Sequence, residues 1–148
     1  MNIQVSDKHK HLLQYNWRPL ASKHINYAVA TIDGENKLLH RVIAELEGWE
    51  LGTKVVDHIN SDGLDNRLDN LQVCTQSQNM MKQRKPSGCS SAFKGVNKLR
   101  DKWRTRITVD GKTKSCGVYA TETEAAIAYN FMAKHLFGDF ANLNEVSI

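Results

Sequence analysis

The stretch "VVDHINSDGLDNRLDNLQVCTQSQN", Val55 to Asn79, ends an apolar run on an Asp-His pair and then spaces asparagines along a polar loop. Much of its polar content needs only turn chemistry, because Asn and Asp make Asx-turns and tolerate left-handed backbone. Asn60, Asp62, Asp65, Asn66 and Asp69 are read in that way. Asp57 and His58 differ, since a carboxylate and an imidazole at a strand end offer a hard metal ligand and a base that titrates near neutrality.

The flanks turn this loop into a supersecondary unit. "TKVVDHIN" reads as the strand entering it and "LQVCT" as the strand leaving it. Thr75 and Gln78 have the spacing of a capping box, which starts a helix through "SQNMMKQRK" toward Pro86 and puts Asn79 in its first turn. A hairpin followed by a helix can bring the end of the first strand to the start of the helix, so Asp57 and Asn79 can meet. Hydrolysis of a phosphodiester requires a base for water, a divalent cation at the phosphate and a group that holds the base's ring. His58, the pair Asp57 and Asn79, and an asparagine carbonyl can fill those roles.

Upstream, Ile25–Ile32 reads as a strand turned at Asp33-Gly34 into a short return strand. Leu39, Val42, Ile43 and Leu46 then fall at i, i+3, i+4 and i+7, a short amphipathic helix stopped by Gly48. Downstream, "KQRKPSGCSSAF" breaks the pattern and reads as a linker. "FKGVNKLRDKWRTRITVDGKTKSCGVYAT" follows as three strands with turns near Arg100-Asp101 and Asp110-Gly111. In the second strand Trp103, Thr105, Ile107 and Val109 take one face, and Arg104, Arg106 and Thr108 take the other. Thr121 with Glu124 caps a last helix whose stripe is Ala125, Ala128, Tyr129, Met132 and Leu136; it is expected to cover the Trp103 face.

The chain's 148 residues and 41% hydrophobic content suit one domain or two small ones. Its formal charge of +4 is unevenly spread: residues 1–83 carry 9 basic and 10 acidic side chains, residues 84–148 carry 11 and 6. From Lys82 to Lys114 there are 11 basic residues and two acidic ones, Asp101 and Asp110, which is either a solvated face or a surface for an anion such as DNA. Cys74, Cys89 and Cys116 form no CxxC pair, which argues against a disulfide framework or a four-cysteine zinc site and fits a reducing cytoplasm. Cys74 is read as a strand core residue. No apolar run approaches a membrane span or a signal segment, so no membrane association is expected.

Asp57-His58, Asn70 and Asn79 resemble the HNH nuclease motif on its ββα-metal fold, in the variant where Asn replaces the final His, found in phage and intron homing endonucleases. "YAVATIDGENKLLHRVI" resembles the upstream part of the same domain. Residues from about Ser91 to Asn144, through "FKGV", "KWRTRI", "CGVYATETEAAIAYN" and "GDFANLN", resemble an AP2 DNA-binding domain, in which a three-stranded antiparallel sheet enters the major groove and one helix backs it. The match departs at Asn97, Thr113 and Ser115, so sequence preference does not carry over.

The resemblance implies an α+β chain: an HNH nuclease domain over 1–83, a linker over 84–90 and an AP2-type domain over 91–148. It makes Asp57 and Asn79 the metal ligands, His58 the general base and Asn70 the residue orienting it, with Asn66 as rival. One divalent cation is implied, Mg²⁺ first and Mn²⁺ second. Double-stranded DNA is the implied partner, with no obligate protein partner, through Asn97, Lys98, Arg100, Arg104, Arg106, Thr108, Lys112, Lys114 and Ser115. Arg67 either clamps a phosphate or pairs with Asp65 or Asp69. His40 reads as packing or backbone-bonding, and His9, His11, His24 and His135 have no organised partners. The rival readings are a regulator that binds DNA without cutting it and an RNA-binding module.

Overall fold

The computed structural model describes residues 1–22, 25–83, 85 and 88–147, which divide into two units, Met1–Cys74 and Thr75–Ile148. In the first unit a two-residue strand β1 (Gln4–Val5) leads into a 3-10 helix (Asp7–Gln14). Strands β2 (Arg18–Ala21), β3 (Asn26–Ile32) and β4 (Glu35–Leu38) form an antiparallel sheet with β3 in the centre. Pro19 fits because β2 is an edge strand, where a missing N–H costs no ladder bond. The β3–β4 turn is tight: Asp33 and Gly34 both take positive φ, 53° and 81°, matching the right-handed twist of the strands they join.

Helix α1 (Leu39–Leu46) follows β4 directly. Leu39 and Ile43 are fully buried one turn apart, each contributing about 1.5–3 kcal/mol of apolar transfer. Leu46, expected on the same stripe, is instead exposed. The two residues pack with Leu12, Trp17, Ala28, Ala30 and Leu71 into one core. Strand β5 (Val55–His58) pairs antiparallel with β7 (Leu71–Cys74), so that His58 lies opposite Leu71 and Asp57 opposite Gln72. Between them the loop carries β6 (Asp65–Asn66), which pairs parallel with β1, and a 3-10 turn (Leu68–Asn70). Cys74 is buried, as its strand position implied.

The second unit opens with helix α2 (Gln76–Met81), held by the expected capping box between Thr75 and Gln78. The helix ends at Met81; Arg84, Pro86 and Ser87, part of the expected linker, lie outside the described residues. The division therefore falls at Cys74/Thr75, before the expected nuclease boundary at 83. Its physical basis is Met81, which packs with Ile107, Tyr129, Ala133 and Phe137. Ser77 Oγ also accepts from the Asp110 backbone N–H at 3.0 Å.

Strands β8 (Val96–Leu99), β9 (Lys102–Val109) and β10 (Lys112–Tyr119) form an antiparallel sheet with β9 central, and helix α3 (Glu122–Phe137) packs on it. Thr105 and Ile107 are buried, whereas Arg106 and Thr108 are exposed, the alternation expected of β9. The buried face of α3 is Ala125, Ala126, Tyr129, Ala133 and Phe137; Ala128, Met132 and Leu136 lie half-buried beside it. Gly95, at φ 75°, admits no side chain because a Cβ there would overlap the Tyr129 ring and come within 2.7 Å of Arg106 O. Among the described residues no helix is long and apolar enough to cross a membrane.

Candidate functional site

His58 ends β5, where the chain leaves its ladder for the loop, and it is only 2% exposed. Its Nε2 lies 3.1 Å from Oδ1 of Asn66, itself fully buried. The amide of Asn66 is oriented by Gly63, whose carbonyl accepts from Nδ2 at 3.2 Å. A carbonyl can only accept, so the NH₂ faces Gly63 and Oδ1 faces the ring. The hydrogen-bond network therefore assigns the neutral ring its proton on Nε2 and its basic lone pair to Nδ1.

This corrects the expectation for Asn70. Its side chain holds the backbone beyond His58 instead of the ring: Oδ1 accepts from Asn60 N at 3.0 Å, and Nδ2 donates to Asn60 Oδ1 and Asp65 O. Its main-chain carbonyl accepts from Ile59 N at 2.8 Å. Asn70 thus pins the two residues after the histidine, and Asn66 meets the imidazole.

Gly63 sets where this loop sits. A Cβ on Gly63 would lie 2.7 Å from Ile25 Cγ2, 2.9 Å from Tyr27 Cδ1 and closer still to Asn26 O. Only a residue without a side chain lets the loop lie this close to β3.

Burial pushes the His58 imidazole below its ordinary value of 6.5, partly offset by the Asn66 bond and by the carboxylates of Asp57, Asp62 and Asp65. Asp57 is 7% exposed, and its Oδ2 accepts from Gln72 Nε2 at 2.8 Å across the hairpin. Arg67 forms a two-pronged bond to Asp65, Nε to Oδ1 at 2.8 Å and Nη2 to Oδ2 at 2.7 Å. That pair holds the Asp65 carboxyl below the usual carboxylate range and the guanidinium above its own. The intramolecular pair that was one of the readings of Arg67 is formed, with Asp65 as the partner.

His40, in the first turn of α1, stacks its ring into the same cluster. Its centroid is 5.1 Å from that of His58 at an interplanar angle of 88°, and Tyr27 lies 5.3 Å from His40 and 5.9 Å from His58. Burial pushes the His40 imidazole down to about 3, and the neighbouring His58 and Arg41 act in the same sense. Its Nδ1 is buried without a hydrogen-bond partner, a loss of about 1–3 kcal/mol. Reading His40 as a packing residue identified its burial but not the ring it packs on. His9 is also better organised than expected, with Nε2 3.0 Å from Glu47 Oε1; His24 lies outside the described residues.

Asn79 lies in α2 of the second unit, half-buried, its backbone N–H bonded to Thr75 O at 3.0 Å. On the sheet of that unit, cross-strand register sorts the expected DNA-contacting residues. Directly opposed residues share a face, so Asn97 and Val118 lie with Arg104, Ser115 with Arg106, and Thr113 with Thr108. Lys98, Lys112 and Lys114 oppose Trp103, Val109 and Ile107, which puts them on the face away from Arg104 and Arg106. The Lys98 ammonium sits 4.5 Å from the centre of the Trp103 ring. Arg100 occupies the β8–β9 turn at φ 56° and is exposed. Val118, 48% exposed in the arginine row, was missed; an irregularity between Ser115 and Gly117 shifts the register and turns it to that side.

Comparison with known proteins agrees with the chemistry of the loop. Residues 37–81 match the family model described as HNH endonuclease. An uncharacterized HNH endonuclease of Acanthamoeba polyphaga mimivirus is 36% identical over 111 residues, 73% of this chain and 57% of that protein. Protein 3.8 of Escherichia phage T7 is 34% identical over 59 residues, 38% of this chain and 49% of that protein. The chain thus spans about half the length of these curated relatives. No solved structure matches.

Proposed function

We propose that the chain is a metal-dependent endonuclease that hydrolyses phosphodiester bonds in duplex DNA, of the homing type carried by phages and introns. The observation that carries this reading is the buried His58, ordered through Nε2 by Asn66, within the segment that matches the nuclease family. His58 Nδ1 takes the proton of the attacking water, while the Asn66 carbonyl steadies the imidazolium that forms.

The donors suit a hard cation. Asp57 presents a carboxylate already oriented by Gln72, and Asn79 supplies an amide oxygen. Among the described residues no group of three or more His, Cys, Asp or Glu could hold a metal ion, so a cation here would take water and substrate phosphate as its remaining ligands, the habit of Mg²⁺ or Mn²⁺. Asp57 and Asn79 would hold it, the role of Asn79 resting on the motif spacing alone. When bound, it neutralises charge on the scissile phosphate and the leaving oxygen.

The arginine face of the second unit, Asn97, Arg104, Arg106, Thr108 and Ser115, meets duplex DNA as an AP2-type sheet does, and Arg100 adds charge at its edge. Location in the cytoplasm, that of the host cell if a phage carries the gene, belongs to the same proposal.

The test is cleavage of supercoiled plasmid by the purified chain with Mg²⁺, Mn²⁺, Zn²⁺ or chelator. Nicked or linear product with Mg²⁺ or Mn²⁺, absent with chelator and with His58→Ala, is expected. DNA binding without cleavage under every metal condition would leave the regulator reading, and cleavage with Zn²⁺ alone would remove the metal assignment.

A further inference from the structure

His40 raises a question that its burial alone does not answer. A leucine would fill much the same volume on the buried face of α1 without leaving an imidazole nitrogen unpartnered. The polar ring is nevertheless set edge to face against the ring of His58, 5.1 Å and 88° away, with Tyr27 closing the third side.

Such contacts have a direction. The electron-poor edge of one ring meets the electron-rich face of the other, and the attraction falls as either ring tilts. An aliphatic side chain resists only overlap. The bond to Asn66 fixes one atom of the His58 ring, Nε2, but by itself allows the plane to rock about that point. A further restraint comes from α1, an element separate from the loop. Burial holds His40 neutral, so the contact brings no second positive charge toward the base.

We propose that His40 is a positioning residue, which fixes the ring plane of His58 through this edge-to-face contact and so aims Nδ1 at the water it deprotonates. The proposal rests on the reading of His58 as the general base. It gives His40 no proton to transfer and no contact with DNA.

The experiment compares His40→Phe, which keeps an aromatic ring, with His40→Leu, which keeps apolar volume and removes the ring. Single-turnover cleavage on saturating DNA is read beside DNA affinity and the thermal melting of each variant. The phenylalanine variant is expected within about threefold of wild type. The leucine variant is expected to be about 10- to 100-fold slower, the range for a misaimed group, with affinity unchanged. A leucine variant that cuts at the wild-type rate overturns the proposal, as does an equal loss in both variants or a loss that appears only in affinity.

Relaxation-dispersion NMR on the His58 ring carbons gives a readout independent of cleavage. Flat profiles are expected for wild type and His40→Phe, with exchange in His40→Leu. Exchange in the wild-type ring overturns the proposal even if the leucine variant fails to fold. If wild type does not cleave DNA but these NMR differences are seen, the nuclease reading fails and the positioning contact stands.

Discussion

Asn66 Oδ1 faces His58 Nε2 at 3.1 Å, a contact that places the proton of the neutral ring on Nε2. Removing it should leave the base present but loosely held. Asn66→Ala is expected to slow single-turnover cleavage by about 10- to 100-fold without changing DNA affinity. Asn66→Asp should act differently: a carboxylate beside the ring favours imidazolium, so the rise in rate should move to higher pH. A pH profile unchanged in Asn66→Asp would remove Asn66 from contact with the base.

The depressed His58 value fixes the sign of the wild-type profile. The neutral ring is the active form, and burial makes protonation harder, so the rate should rise through a midpoint below 6.5 and be level by neutrality. Single-turnover rates isolate this step from product release. His58→Ala should lower the plateau by about 10²–10⁴. A midpoint above 6.5 would mean that the carboxylates around the site outweigh its burial.

His40 makes a separate prediction about stability. Its folded value is about 3 against 6.5 for the ordinary ring, so between these values the unfolded chain binds the extra proton. Its contribution is therefore complete above pH 6.5 and lost as pH falls, at about 1.4 kcal/mol per pH unit. Denaturant titrations at pH 7.5, 6 and 5 should show this slope in wild type and a shallower one in His40→Phe. Equal slopes would show that His40 does not titrate on unfolding.

Gly63→Ala places a methyl group against Ile25, Asn26 and Tyr27. The loop must move, at a cost of about 1–3 kcal/mol, and it carries Asn66 with it. Lower melting temperature together with slower cleavage is expected. A variant as stable and active as wild type would show that the loop does not depend on this approach.

Arg104→Ala with Arg106→Ala should weaken DNA binding and reduce the slope of log affinity against log salt by about one for each phosphate no longer neutralised. Lys112→Ala with Lys114→Ala, on the opposite face by register, should do much less. Equal losses in the two double variants would mean that the sheet does not meet DNA by its arginine face.

What could be read from the sequence followed its periodicity. The β3–β4 hairpin, α1, both capping boxes and the two faces of β9 announce themselves through repeating apolar positions or paired cap residues. Strands β1 and β6 do not, since two residues contain no full alternation, and β2 is exposed throughout and carries a proline. The choice between Asn66 and Asn70 was similarly hidden. Both sit in one polar loop, and what separates them is the loop's path, set by the close approach of Gly63 to a strand far upstream in the chain. His9 finds Glu47 38 positions away, a distance at which no local pattern speaks. Which face the lysines of β10 take was hidden as well, because net charge along a segment takes no account of register.

The short parallel pairing of β1 with β6 bears on the order of folding. It joins Gln4 to Asp65 and Val5 to Asn66, and Ser6 Oγ accepts from Leu68 N at 2.9 Å, so the segment that orders His58 is clasped by the first residues of the chain. Closing so long a loop costs more entropy than forming the β3–β4 hairpin or the β5–β7 ladder, and two residues of ladder return little for it. The hairpins and the core around Trp17 can therefore form while the loop after His58 is still unlatched. In refolding, tryptophan fluorescence should recover ahead of cleavage, with competence to cut arriving as β1 docks.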